Sequence, residues 1–146
     1  AANGGDTAER MLREQLKRDW QKSLIIQYGL VETSLPEKQL GRAEIWLKDH
    51  GDDAALLLSL GRICMRNELW GKAREYFESS YQLERSGETC AELGRLLASL
   101  GEHEQSNHYF QEGLLLSTSN LPELPLPKTN PLVEKSAAEA YRDASL

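Results

Sequence analysis

Residues 54–85 read AALLLSLGRICMRNELWGKAREYFESSYQLER, and residues 87–119 read GETCAELGRLLASLGEHEQSNHYFQEGLLLSTS. Laid over each other at an offset of 33, Leu60-Gly61 falls on Leu93-Gly94, Phe77 on Phe110 and Leu83 on Leu116. Ala73 falls on Ser106 and Ser80 on Gly113, small residue on small residue. A shared period of this length is the mark of a stacked repeat. Each copy divides near its middle, at Asn67 and at Gly101, so each unit is two antiparallel helices. Apolar residues recur at helical spacing throughout, and nowhere do apolar and polar residues alternate at period two.

Packing explains why those residue types sit there. Gly61 and Gly94 lack a side chain, which lets a neighbouring helix come close. Ala73 and Ser106 are their small partners, and Phe77 and Phe110 are large knobs that fill the space between units. One such helix pair cannot bury its apolar face alone, and stacking closes it. The pattern resembles the tetratricopeptide repeat, with Leu57, Leu60, Gly61, Trp70, Ala73 and Phe77 at the family's places in the first copy. Arg85 stands where that family usually has proline, and Cys64 where it often has an aromatic residue. The expected fold is all-α: tetratricopeptide-type antiparallel helix pairs stacked as a short right-handed superhelix.

Outward from these two units, the reading divides the chain into five segments. Residues 1–23 form an N-terminal arm and amphipathic helix, drawn over about 6–22 with Met11, Leu12, Leu16 and Trp20 on its apolar side. Residues 24–53 form a degenerate repeat whose first helix is short and whose second carries Leu40, Ala43, Leu47 and His50. Ser34 and Glu37 are placed to form a capping box around Pro36 at the start of that second helix. Residues 54–86 and 87–119 are the two good repeats. Residues 120–146 hold four of the five prolines (Pro122, Pro125, Pro127 and Pro131), which favours an extended linker, followed by a weak helix or tail over 133–146.

The net charge of -6 is unevenly spread, with balanced signs over residues 1–50 and an excess of acid after residue 100. Without a basic stripe the chain is a poor binder of nucleic acid. Cys64 and Cys90 fall on apolar helical positions and read as buried free thiols. No stretch reaches the length of a membrane span, and no signal peptide is visible. The opening residues 1–6, AANGGD, read as a tag remnant or a cut point in a longer protein. Chemistry is not indicated either. His50 ends a helix, His103 and His108 stand five apart, and no metal, phosphate-loop or nucleophile-elbow motif occurs. The expectation is no enzyme, no catalytic residue, no metal and no cofactor.

What remains is a surface. In the repeat register the concave side of the first good unit presents Leu58, Arg62, Met65 and Arg66, and that of the next presents Ala91, Arg95 and Ala98. Arg62, Arg66 and Arg95 reverse the sign of an acidic protein locally, and guanidinium forks suit carboxylates. Leu58 and Met65 add apolar contact, so these five residues are the candidate partner-binding groove. Glu88 and Glu92 lie nearby and could instead neutralise the arginines from within. The Lys and Asn of a peptide-carboxylate clamp are missing from the matching positions.

Two runs resemble something more specific. One leads from Lys17-Arg18-Asp19-Trp20 to Gln27-Tyr28-Gly29-Leu30. The other runs from Pro36-Glu37-Lys38-Gln39-Leu40 through Trp46-Leu47-Lys48 to the LWGKAR segment at 69–74. Together they are similar to the C-terminal repeat region of HemY-type haem-biosynthesis proteins. The resemblance implies a bacterial inner-membrane parent whose repeat domain faces the cytoplasm, with the fragment itself soluble. It also implies a role as scaffold in late protoporphyrin and haem formation. The implied partner is ferrochelatase or protoporphyrinogen oxidase. The alternatives are a haem or porphyrin carrier, with the arginines on the propionates, and a self-associating adaptor whose proline-rich tail or Trp20 helix enters a neighbour's groove.

Overall fold

The computed structural model describes residues 2–128. The weak helix expected over 133–146 lies outside the described residues. Within them all regular structure is helical. In chain order the helices are α1 (Ala2–Arg18), α2 (Lys22–Leu30), α3 (Pro36–Ile45), α4 (Leu47–His50), α5 (Ala54–Arg66), α6 (Trp70–Leu83), α7 (Gly87–Ser99) and α8 (His103–Ser117).

The two good units are the antiparallel pairs α5/α6 and α7/α8, and local chemistry repeats between them at the period of the sequence. Asp53 caps α5 by accepting from the backbone of Ala55 at 2.9 Å and Leu56 at 3.3 Å. Ser86, one period later, caps α7 by accepting from the backbone of Thr89 at 3.1 Å. A cap of this kind stabilises a helix by about 1 kcal/mol. The turns repeat as well. Glu68 and Gly101 occupy equivalent positions after α5 and α7, and both adopt positive φ, 57° and 81°. The left-handed conformation ends each first helix and turns the chain into the second.

Gly61 and Gly94 perform the task their spacing predicts. A Cβ on Gly61 would collide with the ring of Phe77, and a Cβ on Gly94 with the ring of Phe110. Each phenylalanine is thus seated on a glycine across its own pair. Ser106 Oγ donates to the Gly94 carbonyl at 2.7 Å, tying the second pair at the same point. Leu56, Leu60, Ile63, Phe77, Leu93 and Leu97 are fully buried between the helices. Phe77 is closed over by the next pair, whereas Phe110 is 41% exposed because no further helix among the described residues covers it.

The N-terminal part departs from the expected layout in three places. The first helix ends at Arg18, so Trp20 is not on it. Trp20 stacks on His50 at 3.8 Å between ring centroids, meets Trp46 edge-on, and donates to Asp53 Oδ2 at 2.7 Å. Leu12 and Leu16 are buried at i, i+4 spacing, but Met11 lies one step round the helix and is exposed. The capping box does not form. α3 begins at Pro36 without a side-chain cap, because Asp6 of α1 takes the Ser34 hydroxyl at 2.6 Å and its N–H at 2.9 Å. The helix carrying Leu40 and Ala43 breaks at Trp46 and resumes as the single turn α4.

α1 is fastened to the stack by a buried carboxylate. Glu9 accepts from Tyr28 Oη at 2.7 Å, Arg13 Nε at 3.0 Å and Arg42 Nη1 at 3.2 Å. Burial disfavours its charge, yet these donors hold the carboxyl below the usual glutamate range.

Candidate functional site

Three A-type helices, α2, α5 and α7, supply the concave side. At their C-terminal ends they enclose a cavity of about 630 Å³. Leu30 comes from the end of α2, Met65 and Arg66 from the last turn of α5, Trp70 from the start of α6, and Arg95 and Leu100 from the end of α7. Phe77 and Leu96 are buried and form the floor. Leu30, Trp70 and Leu100 are all exposed on this rim. Three large apolar side chains thus stand open around one cavity of ligand size.

The three predicted arginines all line this cavity, but they are not equivalent. Arg62 is only 12% exposed along its side chain and is committed internally. Its Nε donates to Glu92 at 2.9 Å, and its Nη1 stands 3.2 Å from a Glu88 carboxylate oxygen. Arg95 pairs with Glu92 on its own helix and is otherwise open, its side chain 70% exposed. Arg66 donates from Nη1 to the carbonyl of Gly29 at 2.7 Å and of Val31 at 3.3 Å. It thereby satisfies the loose carbonyls where α2 ends. Those acceptors are neutral; among the described residues no carboxylate stands within ion-pair distance of Arg66, and Glu32 is the acidic group that acts on it from farther away. Burial lowers its pKa, joined by the like charge of Arg62 and opposed by Glu32.

Met65 sits beside Arg66 on the cavity wall. Leu58 does not join them: it is buried, two turns back along α5, and lines a separate cleft with Ile26, Ala55 and Thr89. The reason is position along the helix: Leu58 and Met65 share a face of α5 but lie about 10 Å apart along it. Sequence reasoning missed Leu30, Trp70 and Leu100. The repeat pattern marks Trp70 only as a family position, and Leu30 and Leu100 end helices whose mutual placement is set by the turns. Exposed apolar residues immediately flanking predicted helix ends were the available signal.

No other chemistry gathers here. Among the described residues no three His, Cys, Asp or Glu side chains are placed to hold a metal ion, and no helix is long and apolar enough to cross a membrane. Both cysteines are buried free thiols. Burial pushes the Cys64 thiol up to about 11.

No protein-family model matches the chain. Protein HemY of Escherichia coli strain K12 is 26% identical over 117 residues, which cover 80% of this chain and 29% of that protein. Protein HemY of Shigella flexneri gives the same figures. The chain thus spans under a third of the length of the curated relatives it matches. Among solved structures, the MamA RS-1 ArsTM double mutant superposes with a TM-score of 0.63 at 17% identity, over 83% of this chain and 70% of that one. A crystal structure of MamA gives 0.60 at 17% identity, over 77% and 68%. These likenesses show the fold, a tetratricopeptide-type helical repeat.

Proposed function

We propose that this chain, a helical-repeat scaffold with HemY-type sequence similarity, holds a partner protein of late protoporphyrin or haem formation in its concave groove. The observation that carries the reading is the cavity ringed by Leu30, Trp70 and Leu100, with arginines on its wall. An apolar anchor of the partner enters between these three side chains, and an acidic group beside it meets Arg66 and Arg95. Tight, desolvated apolar anchors supply most of the energy of such contacts. The partner is ferrochelatase or protoporphyrinogen oxidase, and attachment to the inner membrane, with the repeat facing the cytoplasm, belongs to a longer parent. Leu58, in a separate cleft, takes no part in this contact.

The test is affinity capture from a bacterial lysate with two baits, the parent chain and Trp70→Ala/Arg95→Glu. Both substituted residues are exposed, so the variant keeps its fold, which circular dichroism checks. Recovery of either haem-pathway enzyme by the parent, at least about tenfold above the variant, is expected for the loss of one anchor and one charge-assisted contact. Equal recovery by both baits, or recovery of neither enzyme, overturns the assignment. The carrier alternative makes a separate forecast: added haem would shift its Soret band on binding, and the scaffold reading expects no shift.

A further inference from the structure

We propose that the cavity beside Trp70 also receives the leucine-proline segment at residues 121–127 of a second copy of this chain, with Glu123 brought to Arg66. The segment leaves the end of α8 with no helical or sheet structure. Its leucines are among the most open apolar residues described, Leu124 at 76% and Leu126 at 84%. Pro122, Pro125 and Pro127 hold it extended, so little conformational freedom is lost when it docks. Seven residues of polyproline geometry span about 20 Å, enough to lie across the ends of two neighbouring helices packed about 10 Å apart.

The two surfaces complement each other in kind. Proline-bearing extended segments bind grooves lined by aromatic rings, and Trp70 is an exposed ring on this wall. Glu123, between Leu121 and Leu124, supplies a close carboxylate, where Arg66 otherwise has only the more distant Glu32. The segment follows α8, whose C-terminal end lies beside the start of α7, where Ser117 adjoins Gly87. The cavity is at the other end of α7. Donor and acceptor surfaces are therefore different patches of one molecule, and the contact is heterologous, joining copies head to tail. The inference rests on the groove reading above for its location, and not on the haem-pathway assignment.

Two measurements on the purified full chain test it. Sedimentation equilibrium from about 1 μM to about 1 mM spans the range of weak association, and the expected result is a mass that rises with concentration. Leu124→Asp and Glu123→Lys lie on the exposed segment and leave the fold intact; each is expected to weaken association at least about tenfold. A synthetic peptide of residues 119–128 should quench or shift Trp70 fluorescence in the Leu124→Asp chain, whose own segment cannot compete. Its affinity should fall about tenfold for Arg66→Glu and recover when the peptide carries Glu123→Lys.

A constant monomer mass overturns the proposal, as does association unaltered by Leu124→Asp. Association that survives Leu124→Asp but falls with Phe110→Lys would move the contact to the open end of the stack and overturn it too. A monomer whose cavity binds the peptide only after Leu124→Asp would mean that the segment folds into its own groove, which also rejects a second copy. With Leu124→Asp added to both baits, residues 121–127 no longer compete for the cavity, and the capture experiment becomes independent of all these outcomes. The failure of one reading is therefore distinguishable from the failure of the other.

Discussion

Phe77 and Phe110 occupy the same position in successive units, each on the glycine of its partner helix, yet their surroundings differ. Phe77 has no exposure and Phe110 has 41%. Phe77→Ala removes a full ring from a closed core and should cost about 3–5 kcal/mol. Phe110→Ala gives up only part of that burial and should cost roughly half as much. Urea melts of the two variants check the order, and equal losses would contradict the packing described. Glu9 makes a separate forecast. Its folded pKa lies below the ordinary glutamate value, so the stabilisation is full above that value and is lost as pH falls through the folded one. Glu9→Gln should therefore flatten the acid limb of the stability curve, as measured by melts between about pH 3 and pH 7. The phenylalanines were legible in the sequence because an identical residue recurs at the period. The buried role of Glu9 was not, since its partners Tyr28 and Arg42 come from helices whose approach no local pattern encodes.

At the scale of the helix, the equivalent turns at Glu68 and Gly101 make a matched pair of tests. Both are left-handed, which costs a residue with a Cβ about 1 kcal/mol. Glu68→Gly should raise stability by about 0.5–1 kcal/mol, and Gly101→Ala should lower it by about 1–2 kcal/mol. Thermal melts showing the opposite signs would mean that these turns are set by other contacts. The helix pairs themselves could be read from spacing, and so could the weakness of the first unit. The end of α2 could not. Its carbonyls are satisfied by Arg66, 37 residues downstream for Gly29, so the sequence showed a concave-face arginine where the structure uses it partly as a helix cap. The same long reach explains Ser34, drawn to Asp6 and away from its own helix.

For the molecule as a whole, the two ends of the stack differ. α1 covers α2 with Leu12 and Leu16 inward and turns Arg10, Glu14, Lys17 and Arg18 to solvent. A polar outer face of this kind is what a terminal cap of a repeat array requires. At the other end α8 leaves Phe110 and Leu114 exposed among the described residues. Leu114→Lys should therefore change stability by less than about 0.5 kcal/mol, the usual range for a surface site, while reducing any tendency to precipitate. The three groove arginines were found from the register of the repeats, and all three do line one cavity. Their division into a committed, a capping and an open residue depends on Glu88, Glu92 and the α2 terminus, which only the assembled stack brings within reach.

The flank of α8 that no other described helix covers also sets a direction for how the stack loosens. In a linear array each unit is held only by its neighbours; within the two good pairs α8 packs mainly on α7 and opens most cheaply. Among the helices of the two good pairs, amide hydrogens of α8 should exchange first, those of α7 next, and those of α5, packed against α2, α3 and α6, last. Docking any apolar surface on Phe110 would slow exchange in α8 without a new contact elsewhere. The protection gradient is thus a readout of whether that end is occupied.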